Sequence, residues 1–318
     1  MARSMTLGVL DNWIFMALLA TGAWALSCVI DVCFVSNGVY RKASDGPAIA
    51  GLFCFVPMLF SSGTVDGSNV DWAIACVGML SGVVFLLHIY FYFRALFSLN
   101  DAVNAEIFNT LCVLFVPVLA FVLLGERLAW PNYVAIVLAV LGILVLVRFQ
   151  LSRLSLVVIG YLIASVVAIS LMMVMQAWVL QRTSYATAVW LFSSSAFVSV
   201  MLIFGIPRHS RRRVGKMCRQ FGALFIVVQL LELGAILGSQ RATDLGPSVS
   251  LVALIECSLP IFVMAFSGLF ALVAHRWMPV RSLAVRSALS LQTVAAPSKI
   301  ASMFLIVFAI FLAQGLSA

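Results

Sequence analysis

The chain has 318 residues, of which 64% are hydrophobic and only 9% charged, and its mean hydropathy is +1.16. A water-soluble fold of this length is excluded, because its exterior would need far more charged side chains than the sequence holds. The net charge of +8 then reads as the basic loops of a membrane protein rather than as a nucleic-acid surface.

A membrane span needs about 20 apolar residues, and uncharged runs of that kind recur along the chain. In order they cover residues 13–30, 47–60 (the weakest), 72–93, 107–125, 128–147, 154–181, 183–207, 220–240, 245–274 and 300–318. Glu232 interrupts the eighth run and Glu256 the ninth. A β-barrel would instead show short alternating segments, so the expected fold is all-α and polytopic, with about ten transmembrane helices. Ala23-Trp24-Ala25 has the small-x-small form of a signal-peptidase site, but the run before it is short and the apolar pattern resumes directly. Pro57, Pro117 and Pro260 fall inside runs and should kink them. The seven cysteines show no metal-ligand spacing and read as small apolar residues.

Asp101, Pro117 and Gly125 recur 143 residues later as Asp244, Pro260 and Gly268. The same shift carries the first three runs onto the sixth, seventh and eighth. It fails only near the end, where His275, Arg276, Arg281 and Arg286 occupy the expected position of a helix. The expected organisation is a five-helix repeat over 1–150 and a second over 151–318, with an insertion around 276–299. Five is odd, so the second repeat enters the membrane from the opposite side and the repeats are inverted, an arrangement recurrent in carriers. The insertion, basic and moderately apolar, suits an interfacial helix with Trp277 at its boundary.

Lys and Arg concentrate in the odd-numbered connections, above all in Arg208, Arg211, Arg212, Arg213, Lys216 and Arg219. That bias places these connections in the cytoplasm and both termini outside.

The fourth run ends Phe115-Val116-Pro117-Val118, followed by Leu123-Leu124-Gly125-Glu126-Arg127-Leu128, and the fifth ends Leu141-Gly142-Ile143-Leu144-Val145-Leu146. This pattern resembles the EamA-type branch of the drug/metabolite transporter superfamily, whose halves close with a proline-containing helix, a Gly-Glu-Arg-Leu-like turn and a final helix with a glycine near its end. Trp24-Ala25-Leu26-Ser27 is similar to the family's opening helix. The resemblance implies ten helices, carriage of metabolites, amino acids or other small organic solutes, and termini in the cytoplasm. The chain departs from the pattern at Ser267-Gly268-Leu269, where the second Gly-Glu turn would fall, and in the insertion before the last helix.

An ionisable group inside a span costs several kcal/mol and is functional by default. Glu232, with Gln229 one turn earlier, and Glu256 are the leading candidates for proton uptake or for binding a cationic group; pairing with Arg94 inside the bundle is the structural alternative. His88 is a second titrating group, and under the 143-residue shift it falls beside Glu232. Trp24, Ser27 and Asp31 share one face of the first helix. Gln176 supplies an amide in a methionine-rich stretch of the sixth. Glu106 is placed at the start of the fourth run, at headgroup level, where a helix N-terminus favours a carboxylate. Glu126 and Arg127 are expected to shape their turn.

No phosphate loop, metal-spaced histidine pair or activated nucleophile is present, so neither an enzyme nor a cofactor or metal site is expected. The function expected is a secondary carrier, an exporter coupled to protons, of a small organic solute. A flippase for a lipid or lipid-linked intermediate and a non-transporting scaffold are the alternatives. The expected partners are the solute, membrane lipids and protons, with no nucleic acid and with a homodimer left open. The expected location is the plasma (inner) membrane.

Overall fold

The computed structural model describes residues 11–36, 40, 42–68, 70–99, 106, 108–151, 154–203, 208–277 and 297–315. Among these it is all-helical. The elements are α1 (Trp13–Ser36), α2 (Asp45–Phe53), α3 (Phe55–Ser62), α4 (Trp72–Leu99), α5 (Cys112–Leu124), α6 (Trp130–Leu151), α7 (Leu156–Leu180), α8 (Tyr185–Ile203), α9 (Arg208–Leu245), α10 (Val249–Glu256), α11 (Leu259–Trp277) and α12 (Pro297–Gly315). Most of the insertion expected around 276–299 lies outside the described residues.

Seven segments are long and apolar enough to cross a membrane: Trp13–Asp31, Asp45–Ser62, Trp72–Leu99, Leu156–Leu180, Tyr185–Leu202, Phe225–Leu245 and Val249–Phe270. Cys112–Leu124, Trp130–Val145 and Ala301–Ala313 are shorter apolar helices. Large apolar side chains stand outward, among them Phe60, Trp72, Trp130, Leu156, Leu202 and Phe311. Polar side chains, including Asp31, His88, Glu106, Asn109, Gln176 and Gln229, are buried. A bundle dissolved in lipid has this distribution, since hydrocarbon solvates apolar groups and polar ones must find partners inside.

Proline sets two of the helix breaks. The second span is divided at Cys54 into α2 and α3, and Pro57 lies in the first turn of α3. The ninth is divided at Cys257–Ser258, and Pro260 is the second residue of α11. In both, the missing N–H falls where a helix start has no use for it. Pro117 lies inside α5, and there the turn comes earlier, at Thr110–Leu111. One boundary differs from the sequence expectation. The basic stretch 208–219, read as a connection, is the first third of the 38-residue α9. Arg and Lys are good helix formers, so their charge marks where a helix leaves the membrane and not where it ends.

The long helices pack in pairs: α4 along α7, α1 along α9, and α6 along α12. Helix α8 lies against α2, α3 and α4; α5 lies against α7 and α10; α10 and α11 lie against α1. Small residues allow the close approaches. At Gly82 of α4, an added Cβ would collide with the Phe192 carbonyl of α8 and stand 2.9 Å from the Ala196 nitrogen. Ser195 of α8 donates to the Met79 carbonyl beside it.

Candidate functional site

Helix α1 brings Trp24, Cys28 and Asp31 to one face, spaced by four and three residues. Helix α9 presents Gln229, Glu232 and Ile236 in the same way, and α4 presents Phe85, His88 and Tyr92. Together with Glu106 and Asn109, all of these except Gln229 surround a small cavity of about 20 Å³ lined by Trp24, Cys28, Asp31, His88, Glu106 and Glu232, among others. A second cavity, of about 40 Å³, is lined by Thr21, Trp24, Glu106, Asn109, Ser239 and Glu256, among others. Trp24, Glu106 and Asn109 belong to both. At a rise of 1.5 Å per residue, Thr21 and Asp31 lie roughly 15 Å apart along α1, so the two cavities stack along that helix.

The carboxyls of Asp31 and Glu232 hydrogen-bond to each other, and Asp31 also meets the Tyr40 hydroxyl. A hydrogen bond between two carboxyls needs a proton, so one shared proton is what would join this pair. Gln229 Nε2 donates to the Tyr40 oxygen at 3.3 Å, fixing that hydroxyl beside the pair. Asp31 is 2% exposed, and its Oδ1 has no hydrogen-bond partner among the described residues.

A hydrogen-bonded row crosses the site. Ser165 Oγ of α7 donates to Asn109 Oδ1 at 3.0 Å, leaving Asn109 Nδ2 directed at Glu106 Oε2, 3.4 Å away. Cys28 Sγ donates to Glu106 Oε1 at 3.0 Å. His88 Nδ1 stands 3.1 Å from the Ser165 carbonyl and 3.0 Å from its hydroxyl. The carbonyl can only accept and the hydroxyl proton is already committed to Asn109, so the network assigns the His88 proton to Nδ1. The row thus joins α4, α7, the start of the fourth span and α1.

Among the candidates read from the sequence, Trp24, Asp31, His88 and Glu232 meet around this first cavity, Gln229 stands behind it on Tyr40, and Glu256 stands on the second. Glu256 Oε1 has no partner among the described residues, and its carboxyl takes a hydrogen bond from Ser239 of α9. Ser27 turns back onto its own helix, donating to the Trp24 carbonyl; Cys28 takes its place in the lining. Gln176 is buried but away from both cavities, donating to Ser81 of α4. Arg94 is exposed, bonded to Tyr90 through Nε at 3.0 Å and stacked over Tyr90 and Tyr161, so it does not serve as the partner of Glu232 or Glu256. Glu106 corrects its expected headgroup placement: it is 1% exposed and forms the wall between the cavities. Its signal in the sequence was Asn109 three residues on, a second polar group on the same face at the start of an apolar run. Tyr40, Tyr92 and Ser165 carry no comparable signal.

Around the cavities, then, lie carboxyls, a histidine hydrogen-bonded to Ser165 and two broken helices, with no Lys or Arg lining them among the described residues. Residues 11–148 match the model of the EamA-like transporter family. This region supplies Trp24, Asp31, His88 and Glu106, and its similarity is to membrane transporters. No curated relative matches the chain. A crystal structure of a protein 17% identical in sequence superposes at a TM-score of 0.55, covering 95% of this chain and 99% of that one. At that identity the likeness concerns the fold, which extends over both halves of the chain.

Proposed function

We propose that the protein is a secondary carrier of a small organic solute, an exporter coupled to protons, built from two inverted five-helix repeats over 1–150 and 151–318. The observation that carries it is a set of carboxyl-lined cavities assembled from both halves, with α1, α4 and Glu106 on one side and α9 and α10 on the other. The packing supports the repeats. A shift of 143 residues takes α1 to α7, α4 to α9, and α5 to the α10–α11 segment. It therefore exchanges the α4–α7 contact with the α9–α1 contact, and the α5–α7 contact with that of α10 and α11 on α1; all of these contacts are present. The breaks before α5 and within α10–α11 face each other, as discontinuous helices do around carrier sites.

Cavities of about 20 and 40 Å³ hold a few water molecules, whereas small-molecule sites occupy several hundred Å³. Admission of a solute requires the helices to part. Protein in liposomes loaded with candidate solutes is expected to show counterflow that falls at least about ten-fold in Glu232→Gln or Glu256→Gln. Unchanged flux in both variants removes these carboxyls from the mechanism.

The flippase reading has one feature in its favour. A groove of about 540 Å³ runs between α1 and α9, lined by Met16, Leu19, Ala23, Leu230 and Leu231, with Asp11, Tyr185 and Arg241 also along it. Glu232 and Asp31 do not line this groove, which favours the solute carrier. Movement of a fluorescent phospholipid between leaflets, surviving Glu232→Gln, would reverse that preference.

A further inference from the structure

We propose that the solute of this carrier is an organic ammonium cation, bound at the Asp31–Glu232 pair in exchange for the proton the two carboxyls share. The inference rests on the carrier reading of the same site and adds the chemical class and the exchange.

Three carboxyls, Asp31, Glu106 and Glu232, line one cavity, and among the described residues no Lys or Arg side chain lines it with them. Acidic groups alone could be silent if each were fully engaged within the bundle. Asp31 is not: it is almost completely buried, lines the cavity, and its Oδ1 has no partner among the described residues. An unmet carboxylate oxygen in an apolar surround is costly and favours a positive charge beside it. The rest of the lining has the matching chemistry. Trp24, Phe85, Tyr92 and Phe93 place four aromatic rings around the same space, and ring faces attract ammonium groups, most strongly where water is excluded. A carboxylate or phosphate solute would meet three acids there and, among the described residues, no Lys or Arg. An uncharged solute could donate to Asp31 Oδ1 but would bring no charge to balance the acids.

The exchange follows from charge. With its shared proton the pair carries one negative charge. A monovalent cation that enters as this proton leaves keeps the site's charge constant, so no additional charge is buried or exposed. The other titratable groups facing the pair are Cys28, Tyr40, Cys54, His88, Tyr92 and Glu106, all of them neutral or acidic side chains apart from His88. His88 already commits Nδ1 to Ser165, which leaves the carboxyl pair as the group that releases the proton.

The test uses the full-length protein in phosphatidylethanolamine–phosphatidylglycerol vesicles and three probes of one shape: choline, its uncharged carbon analogue 3,3-dimethylbutan-1-ol, and 3,3-dimethylbutanoate. Choline alone is expected to bind, shown by a rise in unfolding temperature, and to release about one proton per ion bound into weakly buffered medium. Asp31→Asn and Glu232→Gln should each abolish proton release. Trp24→Leu, which leaves the acids intact, should weaken choline binding about ten-fold or more. Asp66→Asn, in an exposed connection, controls for general effects of removing a carboxylate, and unfolding curves identify any variant that fails to fold. Equal binding of the uncharged analogue or the anion, or proton release that persists in both carboxyl variants, overturns the proposal. Counterflow of a neutral or anionic solute without any choline response leaves the carrier reading standing and removes the cation. Choline binding with proton release but no counterflow of choline retains the site and removes carriage.

Discussion

Asp66 shows how a single side chain is held where water is available. It lies in the connection between α3 and α4, exposed, and its Oδ1 accepts hydrogen bonds from the Ser68 nitrogen at 3.0 Å and the Ser68 hydroxyl at 2.6 Å. Both favour the charged form and hold its carboxyl below the ordinary 3.8. A depressed value in the folded state means that this carboxylate contributes stability above the ordinary carboxyl range and loses the contribution as pH falls through the lowered value. Ser68→Ala removes the hydroxyl donor, so the Asp66 titration midpoint should rise toward 3.8, as followed by the carboxyl carbon shift in NMR of Asp-labelled protein. A midpoint that does not move assigns the effect to the backbone N–H alone. At the same scale, the chemistry of α1, α4 and α9 was legible because Asp31, His88 and Glu232 interrupt apolar runs, where an ionisable group is expensive. Arg94 interrupts one equally, yet its long stem carries the guanidinium out to Tyr90 and Tyr161; sequence spacing does not reveal that freedom. Glu106 differs for the opposite reason: its position at the start of the fourth run suggests headgroup depth, and the packing buries it. Glu126 was assigned to its turn, and Gly125 does cap α5 at φ +69°. The carboxylate also accepts from Ser248 Oγ at 2.8 Å, while Ser248 caps α10 through the Leu251 nitrogen. The signature turn thus ties the end of α5 to the start of α10, a long-range contact that no local pattern announces.

At the scale of elements, apolar runs locate helices well and their interruptions poorly. Pro57 and Pro260 both mark breaks, whereas Pro117 is accommodated inside α5 and the adjacent turn falls at Thr110–Leu111, seven and six residues earlier. The choice depends on where neighbouring helices press, which is a property of packing. Gly82 illustrates that dependence. Its position in α4 is helical, so glycine is not required there by backbone conformation; it is required by the backbone of α8, whose Phe192 carbonyl and Ala196 nitrogen occupy the space of a Cβ. Those atoms cannot rotate away as a side chain would. Gly82→Ala should therefore force α4 and α8 apart and destabilise the bundle by about 1–3 kcal/mol, read as a lowered unfolding temperature in detergent. Gly160→Ala provides the comparison: nothing lies within 4 Å of the added atom, and helix propensity favours alanine, so its unfolding temperature should hold or rise. A similar loss in both variants would mean that the α4–α8 approach is looser than the geometry indicates.

For the whole molecule, the open question is which rim faces the cytoplasm, and the resemblance and the basic residues answer it differently. One rim carries the basic first third of α9, together with Lys42 before α2 and the end of α6, which holds Arg148. The opposite rim, alternating with it in chain order, holds Arg127, Arg182 and Arg241. Two of these are engaged within their own rim: Arg182 lies over the Trp178 ring at 4.1 Å, and Arg241 pairs with Asp244 and with Asp11, the latter at 3.7 Å. Trp72 and Trp130, both strongly exposed at the starts of α4 and α6, stand on this rim, as aromatic side chains do at a membrane boundary. The clustered Lys and Arg residues govern orientation, because they resist translocation regardless of nearby acids. An even number of spans, ten as proposed here, puts both termini on the rim away from the basic cluster. A reporter that functions only outside the cytoplasm, fused after Ala318, should then be active, and one fused before α9 should be silent. Exchange of Arg211, Arg212 and Arg213 for Ser should weaken the bias and yield a mixed population. If the Ala318 fusion is silent and the fusion before α9 active, the orientation is that of the family, and the Asp31–Glu232 end of the site faces the opposite compartment.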